Sequence, residues 1–381
     1  MLTTQFDIAQ RYGRGMATIE FEGVTLSRSG TEVLTGIDLT VADGELAAVI
    51  GPSGSGKSSL LRLVSGLERA DSGEVRIGGE PVDVSQPWRN RVAMVFQDDA
   101  LYEHMTVGSN LEFPWRVQGH DHATSTMEAS RSARRVGVRR LWDRLPGTLS
   151  FGQRGQVATA RALSRTDPSV VLLDEPLSRA DAMVRRRFRS EIHRLHSETG
   201  LTMILATNDQ HEAMALASKL IVLIEGSIRQ VGAPQAVYRQ PCDTTVAGFV
   251  GSPAMNLIPA RLIPGEAGAS VLEVGKDRIR TTRRPLDVPD RVVIGLYPGE
   301  MRQAGPGTPF DRTLHVTVGR VEHLGATTSI FFGIGPNPGM VFSITRPGGR
   351  PAEPGERLEL TWNEEALRLY DAESGQLLES S

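Results

Sequence analysis

The chain has 381 residues, enough for two domains or three, and its 39% hydrophobic and 23% charged content is an ordinary globular balance. Its 42 basic and 45 acidic residues leave a net charge of −3, so no bulk positive field is available to nucleic acid. One cysteine, Cys242, excludes an intramolecular disulfide framework and a Cys-rich zinc site, and it reads as a small, half-buried apolar residue.

Residues 1–17 read as a disordered extension, or as sequence ahead of a start at Met16. The first fifteen have neither the apolar core nor the cleavage site of a signal peptide. No run approaches the roughly 20 apolar residues of a membrane helix, which points to a soluble cytoplasmic protein. Only Lys57, Lys219 and Lys276 are lysines, so the place of Lys57 carries more information than a basic residue usually does.

From Thr18 to about Gly232 short apolar runs alternate with helix-like segments. Ile19–Leu26 and Ile37–Val41 alternate as half-buried strands. Leu46–Ile50, Val92–Phe96, Val170–Leu173, Met203–Ala206 and Leu220–Ile224 are near-continuous apolar runs, as expected of parallel strands covered on both faces. Helices are predicted over Lys57–Leu67, Gln156–Ser164, Ala182–Thr199 and Gln210–Ser218. The pattern is that of an α/β domain over 18–250, with a small helical insertion at about 110–160. After Val250, Pro and Gly become frequent and short alternating strands recur, predicting an all-β barrel-like domain over 251–381 with its boundary near Gly248–Pro253.

Two segments carry phosphate chemistry. Gly51, Pro52, Ser53, Gly54, Ser55, Gly56, Lys57 and Ser58, followed by Ser59, satisfy the phosphate-loop pattern between a strand and a helix. Glycines there let successive backbone N–H groups turn inward as an anion nest at a helix N-terminus. Lys57 adds a cation for β/γ-phosphates, and Ser58 a hydroxyl for Mg²⁺. The second segment, Val170–Glu175, is an apolar strand ending in two carboxylates. Asp174 is expected near the metal, and Glu175 where an attacking water sits.

Between them, Leu149-Ser150-Phe151-Gly152-Gln153 opens a helix on the N-cap Ser150. With these motifs in this order, the sequence resembles the ATPase subunits of ATP-binding cassette (ABC) transporters, whose signature usually reads Leu-Ser-Gly-Gly-Gln. Gln97 matches the family's glutamine loop, which touches both the metal and the coupling helix of the membrane partner. Pro176–Asp181 matches the loop crossing the dimer interface, and Thr207–Ala213 falls on the switch-histidine segment. Val246–Asn256, Gly295–Glu300 and Leu367–Gly375 resemble the oligonucleotide-fold-like regulatory domain of sugar-importer ATPases of the maltose, trehalose and glycerol-3-phosphate type.

The resemblance implies an ATP- and Mg²⁺-dependent ATPase at the cytoplasmic face of the membrane. Its partners would be two permease subunits, a solute-binding protein and a second cassette, either a copy of itself or a different ABC ATPase; no nucleic acid is implied. It assigns Glu175, Gln97 and Asn208 to catalysis and Ser58, Gln97 and Asp174 to the metal. The phosphate loop, Arg28, and Ser150, Gly152 and Gln153 across the dimer are assigned to ATP. Three positions depart from the family pattern. Asn208 replaces the switch histidine, Phe151 the first signature glycine, and Arg28 the aromatic that stacks on adenine. A guanidinium also stacks on a base. The departures leave a regulatory cassette with weak hydrolysis as an alternative to a sugar-importer ATPase, and the ATPase of a polyamine or inorganic-anion importer is a further one, because it shares almost every motif. His211 and Arg185–Arg189 read as solvated helix faces.

Overall fold

The computed structural model describes residues 17–164, 168–177, 181–265, 269–282, 290–323, 327–334, 337–347 and 352–378. Residues 1–16 of the expected extension, and Ser178–Ala180 of the expected interface loop, lie outside them. The chain divides into two compact units, at Pro234/Gln235.

The first unit opens with an antiparallel sheet of order β2-β1-β4-β5, built from Ile19–Arg28 (β1), Thr31–Val41 (β2), Ser72–Ile77 (β4) and Glu80–Pro81 (β5). A six-stranded sheet of order β10-β9-β3-β8-β7-β6 follows, from Leu46–Ile50 (β3), Val92–Val95 (β6), Val170–Asp174 (β7), Thr202–Thr207 (β8), Lys219–Ile224 (β9) and Ser227–Gly232 (β10). Within it only the β9–β10 pair is antiparallel. The continuous apolar runs have a direct cause. Val170 and Leu172 enter one core, packed with β1, β2 and the helix Lys57–Ser65 (α1); Val171 and Leu173 enter the other, beneath the helical segment. A strand buried on both faces has no polar side to alternate with.

The helices after the phosphate loop are Val107–Val117 (α2), His122–Arg135 (α3), Phe151–Ala162 (α4), Ala182–Thr199 (α5) and Gln210–Leu216 (α6). Asp121 and Asp181 cap their helices through Thr124 and Val184 N–H. The signature helix starts at Phe151, as the N-cap Ser150 implies, and not at Gln156, where the helical periodicity begins. Ser150 and Gln153 close a reciprocal capping box there, which outweighs the weak apolar periodicity of its first turn.

Among its described residues the second unit is all-β apart from two short α-helices, Pro234–Arg239 (α7), which begins at the division, and Thr244–Phe249 (α8), and single 3-10 turns at Pro298–Glu300, Phe310–Arg312 and Glu364–Ala366. One sheet has the order β13-β12-β11-β14-β20, from Asn256–Pro264 (β11), Ser270–Val274 (β12), Asp277–Thr281 (β13), Arg291–Leu296 (β14) and Arg368–Asp371 (β20). The other has the order β15-β19-β16-β17-β18, from Met301–Gln303 (β15), Leu314–His323 (β16), Thr327–Ile334 (β17), Asn337–Pro347 (β18) and Arg357–Trp362 (β19). Ile258, Leu272, Ile294, Leu314, Ile330 and Leu360 share one core between the sheets. The division precedes the composition change near Gly248–Pro253, because packing ties 235–250 to the β-unit. Tyr238 stacks on Tyr297 at 4.1 Å, and the Tyr297 hydroxyl donates to the Val250 carbonyl at 3.1 Å.

Candidate functional site: a phosphate loop facing two carboxylates

Parallel register gathers the site. Ile50 pairs with Thr207, Asp174 with Ala206 and Val95 with Leu173, so β3, β6, β7 and β8 end at one sheet edge. The segments that leave them, Gly51–Ser58, Gln97, Glu175 and Asn208, meet outside the carboxyl ends, where open α/β sheets bind ligands.

The phosphate loop needs its glycines for space as well as conformation. A Cβ on Gly51 would stand 1.9 Å from the Leu223 carbonyl oxygen. Gly56 caps α1 at φ 101°, and a Cβ there would meet the Val33 carbonyl at 2.8 Å. The Lys57 ammonium is buried and donates to the Gly51 and Pro52 carbonyls, both at 2.9 Å. Burial lowers its pKa, while Glu175 and Asp174 act in the opposite direction. Ser58 Oγ donates to Asp174 Oδ1 at 2.8 Å. Asp174 is buried too, and desolvation pushes its carboxyl up despite the Ser58 bond and the nearby Arg62 and Lys57. A hydroxyl and a desolvated carboxylate side by side, next to an anion nest, suit a small oxygen-seeking cation such as Mg²⁺. Among the described residues no cluster of three or more His, Cys, Asp or Glu side chains forms a metal cage.

Glu175 follows at once, in the left-handed region at φ 44°. Its N–H donates to the Ala206 carbonyl at 2.8 Å, its Oε1 accepts from Asn208 Nδ2, and its Oε2 accepts from Gln97 Nε2 at 3.4 Å. Lys57, Ser58, Asp174, Glu175, Gln97 and Asn208 are thus one constellation.

The remaining predicted residues make other contacts. Arg28 is held by Glu68, through Nε at 2.7 Å and Nη2 at 2.6 Å. Ser150 and Gln153 bond each other across the first turn of α4. Gly152 is buried against α5, where a Cβ would lie 2.4 Å from Val184 Cγ1. His211 is exposed, as expected, whereas Arg185 bonds Asp209 at 3.0 Å.

Two groups of residues had no role of their own in the sequence reading. Arg154 of α4 clamps buried Asp99 through Nε at 2.7 Å and Nη2 at 2.9 Å, and it reaches Glu103 as well. Arg161 Nη1 donates to the Ala100 carbonyl at 2.7 Å. Asp99 and Ala100 both have positive φ, so the loop carrying Gln97 is pinned by the signature helix. The only trace in sequence is a pair of arginines seven apart on one helix. The second group, buried Glu212 with Thr207 and Asp209, sits behind Asn208.

These parts make a nucleotide-binding ATPase site of the phosphate-loop class. A family model described as ABC transporter matches residues 34–178. An sn-glycerol-3-phosphate import ATP-binding protein of Cereibacter sphaeroides is 41% identical over 364 residues, 95% of this chain and 100% of that protein. A sulfoquinovosyl glycerol transport ATP-binding protein of Agrobacterium fabrum is 40% identical, over 94% of this chain and 98% of its own length. A lactose transport ATP-binding protein of Rhizobium radiobacter is 39% identical over the same shares. Among solved structures, an ABC transporter subunit of Clostridium perfringens matches with a TM-score of 0.54 and 28% identity, over 58% of this chain and 90% of its own. A dimeric bacterial ABC transporter cassette matches with a TM-score of 0.53 and 26% identity, over 57% and 98%. This chain belongs to the ABC transporter family, as one of its ATP-binding, ATPase subunits.

Proposed function

We propose that this chain energises a bacterial ABC importer of a carbohydrate or a related glycerol-based solute. The supporting relatives, identical at about two positions in five along nearly the whole chain, carry names for glycerol-3-phosphate, sulfoquinovosyl glycerol and lactose transport. The observation that carries the chemistry is the Ser58–Asp174 contact at 2.8 Å, which brings the phosphate loop to the strand bearing Glu175.

In this reading the N–H groups of Gly54–Ser58 and the Lys57 ammonium bind the β- and γ-phosphates of ATP. Ser58, Asp174 and Gln97 would hold Mg²⁺, which neutralises charge on those phosphates. Glu175 takes the proton of the attacking water, and Asn208 and Gln97 orient its two oxygens. Arg28, its plane fixed by Glu68, offers a face to the adenine. Ser150, Gly152 and Gln153 meet the nucleotide of a partner cassette, whether a second copy or a different one. ATP bound between two such faces favours the closed pair, and hydrolysis releases it.

No helix among the described residues is long and apolar enough to cross a membrane. Two separate permeases with a solute-binding protein would complete the importer, placing this chain at the cytoplasmic face of the membrane. A cleft of about 910 Å³ supports permease docking; it is lined by Met94, Phe96, Tyr102, Phe113, Val117 and Arg161, beside the Gln97 loop. The β-unit is assigned to dimer contacts and regulation. A second reading, a cassette with weak hydrolysis, is favoured by one observation: Asn208 is neutral and is engaged by Glu175. Lys57→Ala tests the assignment, because it removes the loop cation. Loss of ATP binding and of transport supports it, and unchanged ATP affinity overturns it.

A further inference from the structure

The geometry points to Glu212 as a positioning residue for Asn208, acting through the Thr207 hydroxyl. This rests on the reading of Glu175 as the catalytic base.

Glu212 is buried in the first turn of α6. There an ordinary capping box would send the carboxylate back to the N–H of the capping residue, Asp209. Here a hydroxyl is inserted. Thr207 Oγ1 donates to Glu212 Oε2 at 2.7 Å and accepts from the Asp209 N–H at 3.0 Å. Asp209 Oδ1 closes the ring by accepting from the N–H groups of His211, at 2.9 Å, and Glu212, at 3.2 Å. Arg185 holds its other oxygen at 3.0 Å. The residues on both sides of Asn208 are thereby tied down, and its amide points at Glu175.

The carboxyl is costly where it stands. Glu212 Oε1 has no hydrogen-bond partner, a loss for a buried acceptor. Burial pushes its pKa up, and Asp209 adds to this while Thr207, Arg189 and Arg185 oppose it. The helix does not need it for capping, because Asp209 already takes two of the first N–H groups. What Glu212 alone supplies is the acceptor that orients Thr207, and through Thr207 the turn presenting Asn208.

Single-turnover hydrolysis of Mg·ATP by the full chain tests this, with ATP affinity and Tm measured alongside. Glu212→Leu and Thr207→Val should each slow hydrolysis about tenfold with ATP affinity unchanged. Glu212→Gln should stay near the parent rate, since its amide oxygen still accepts from Thr207. In an Asn208→Ala background, Glu212→Leu should cost less than about twofold more, because residues acting as one unit do not add.

Parent-rate hydrolysis by Glu212→Leu overturns the proposal. So does a Glu212→Gln as slow as Glu212→Leu, or a full tenfold loss on top of Asn208→Ala, which marks a general structural role. Should Glu212→Leu fail to fold, Thr207→Val decides by the same criteria. Glu175→Gln separates the premise. Parent-rate hydrolysis there overturns the base assignment itself, whereas an inactive Glu175→Gln beside a parent-rate Glu212→Leu overturns the positioning role alone.

Discussion

Asn208 donates its side-chain amide to Oε1 of Glu175, whose backbone sits in the left-handed region at φ 44°. The residue that falls on the family's switch-histidine segment is therefore committed to the carboxylate proposed as the base. Such a backbone costs about 1–3 kcal/mol for a non-glycine residue and persists only where its surroundings hold it. Here the holders are Asn208, Gln97 and the Ala206 carbonyl. Asn208→Ala should slow single-turnover hydrolysis about tenfold, equivalent to ~1.4 kcal/mol of transition-state stabilisation. Asn208→His restores an imidazole and should add a pH-dependent limb near its ordinary titration range, absent from the parent. Rates measured across that range in both variants check this.

Glu175→Gln keeps the side chain's shape and one of its two acceptor oxygens but removes the carboxylate proposed as the proton acceptor. It should bind ATP as the parent does, stop turnover, and accumulate the ATP-bound pair of cassettes. Nucleotide titration and sizing in the presence of Mg·ATP read all three.

Arg154→Ala would leave Asp99 buried without its clamp. Breaking a buried pair by removing one partner costs about 3–5 kcal/mol, and the partial exposure of Arg154 places this variant near the lower figure. The freed Gln97 loop should also lower the ATPase rate more than ATP affinity. Denaturant unfolding and hydrolysis assays give the two numbers.

Gly152→Ala would place a methyl 2.4 Å from Val184 Cγ1. Overpacking of this kind costs about 1–3 kcal/mol. Val184→Ala should recover much of that loss in the double variant. An equal loss with and without Val184→Ala would show that the two side chains do not meet.

Glu212 gives a pH prediction for stability. Its folded pKa is raised by burial, so the folded chain holds the proton more tightly than the unfolded one. The corresponding stabilisation is full below the unfolded pKa and is lost as pH rises through the folded value. Glu212→Gln lacks this loss. Its Tm should match the parent's in acid, exceed it increasingly as pH rises between the unfolded and folded pKa values, and hold a constant lead above them. A difference of ~1 kcal/mol corresponds to roughly 2–4 °C for a unit of this size.

Much of the nucleotide site was legible because its parts are local. A phosphate loop is one strand, one turn and one helix start, so Gly51–Ser58 declares itself by spacing. Val170–Asp174 does so by an unbroken apolar run, which two cores impose on a strand buried on both faces. Ser150 and Gln153 announce the start of α4 from three residues apart. Tertiary structure decided what residues distant in sequence do to each other. The register of β3, β7 and β8 sets Ser58 against Asp174 and Asn208 against Glu175. Arg28 could be read as a stacking surface, but its clamp, Glu68, lies forty residues further on, and Arg154 likewise reaches Asp99 across fifty-five. Periodicity and motif spacing report which face of an element is buried and where backbone can turn. They carry no information on which buried carboxylate meets which side chain from another strand. Glu212 carried no role of its own within Thr207–Ala213, and only burial against Thr207 ties it to the site.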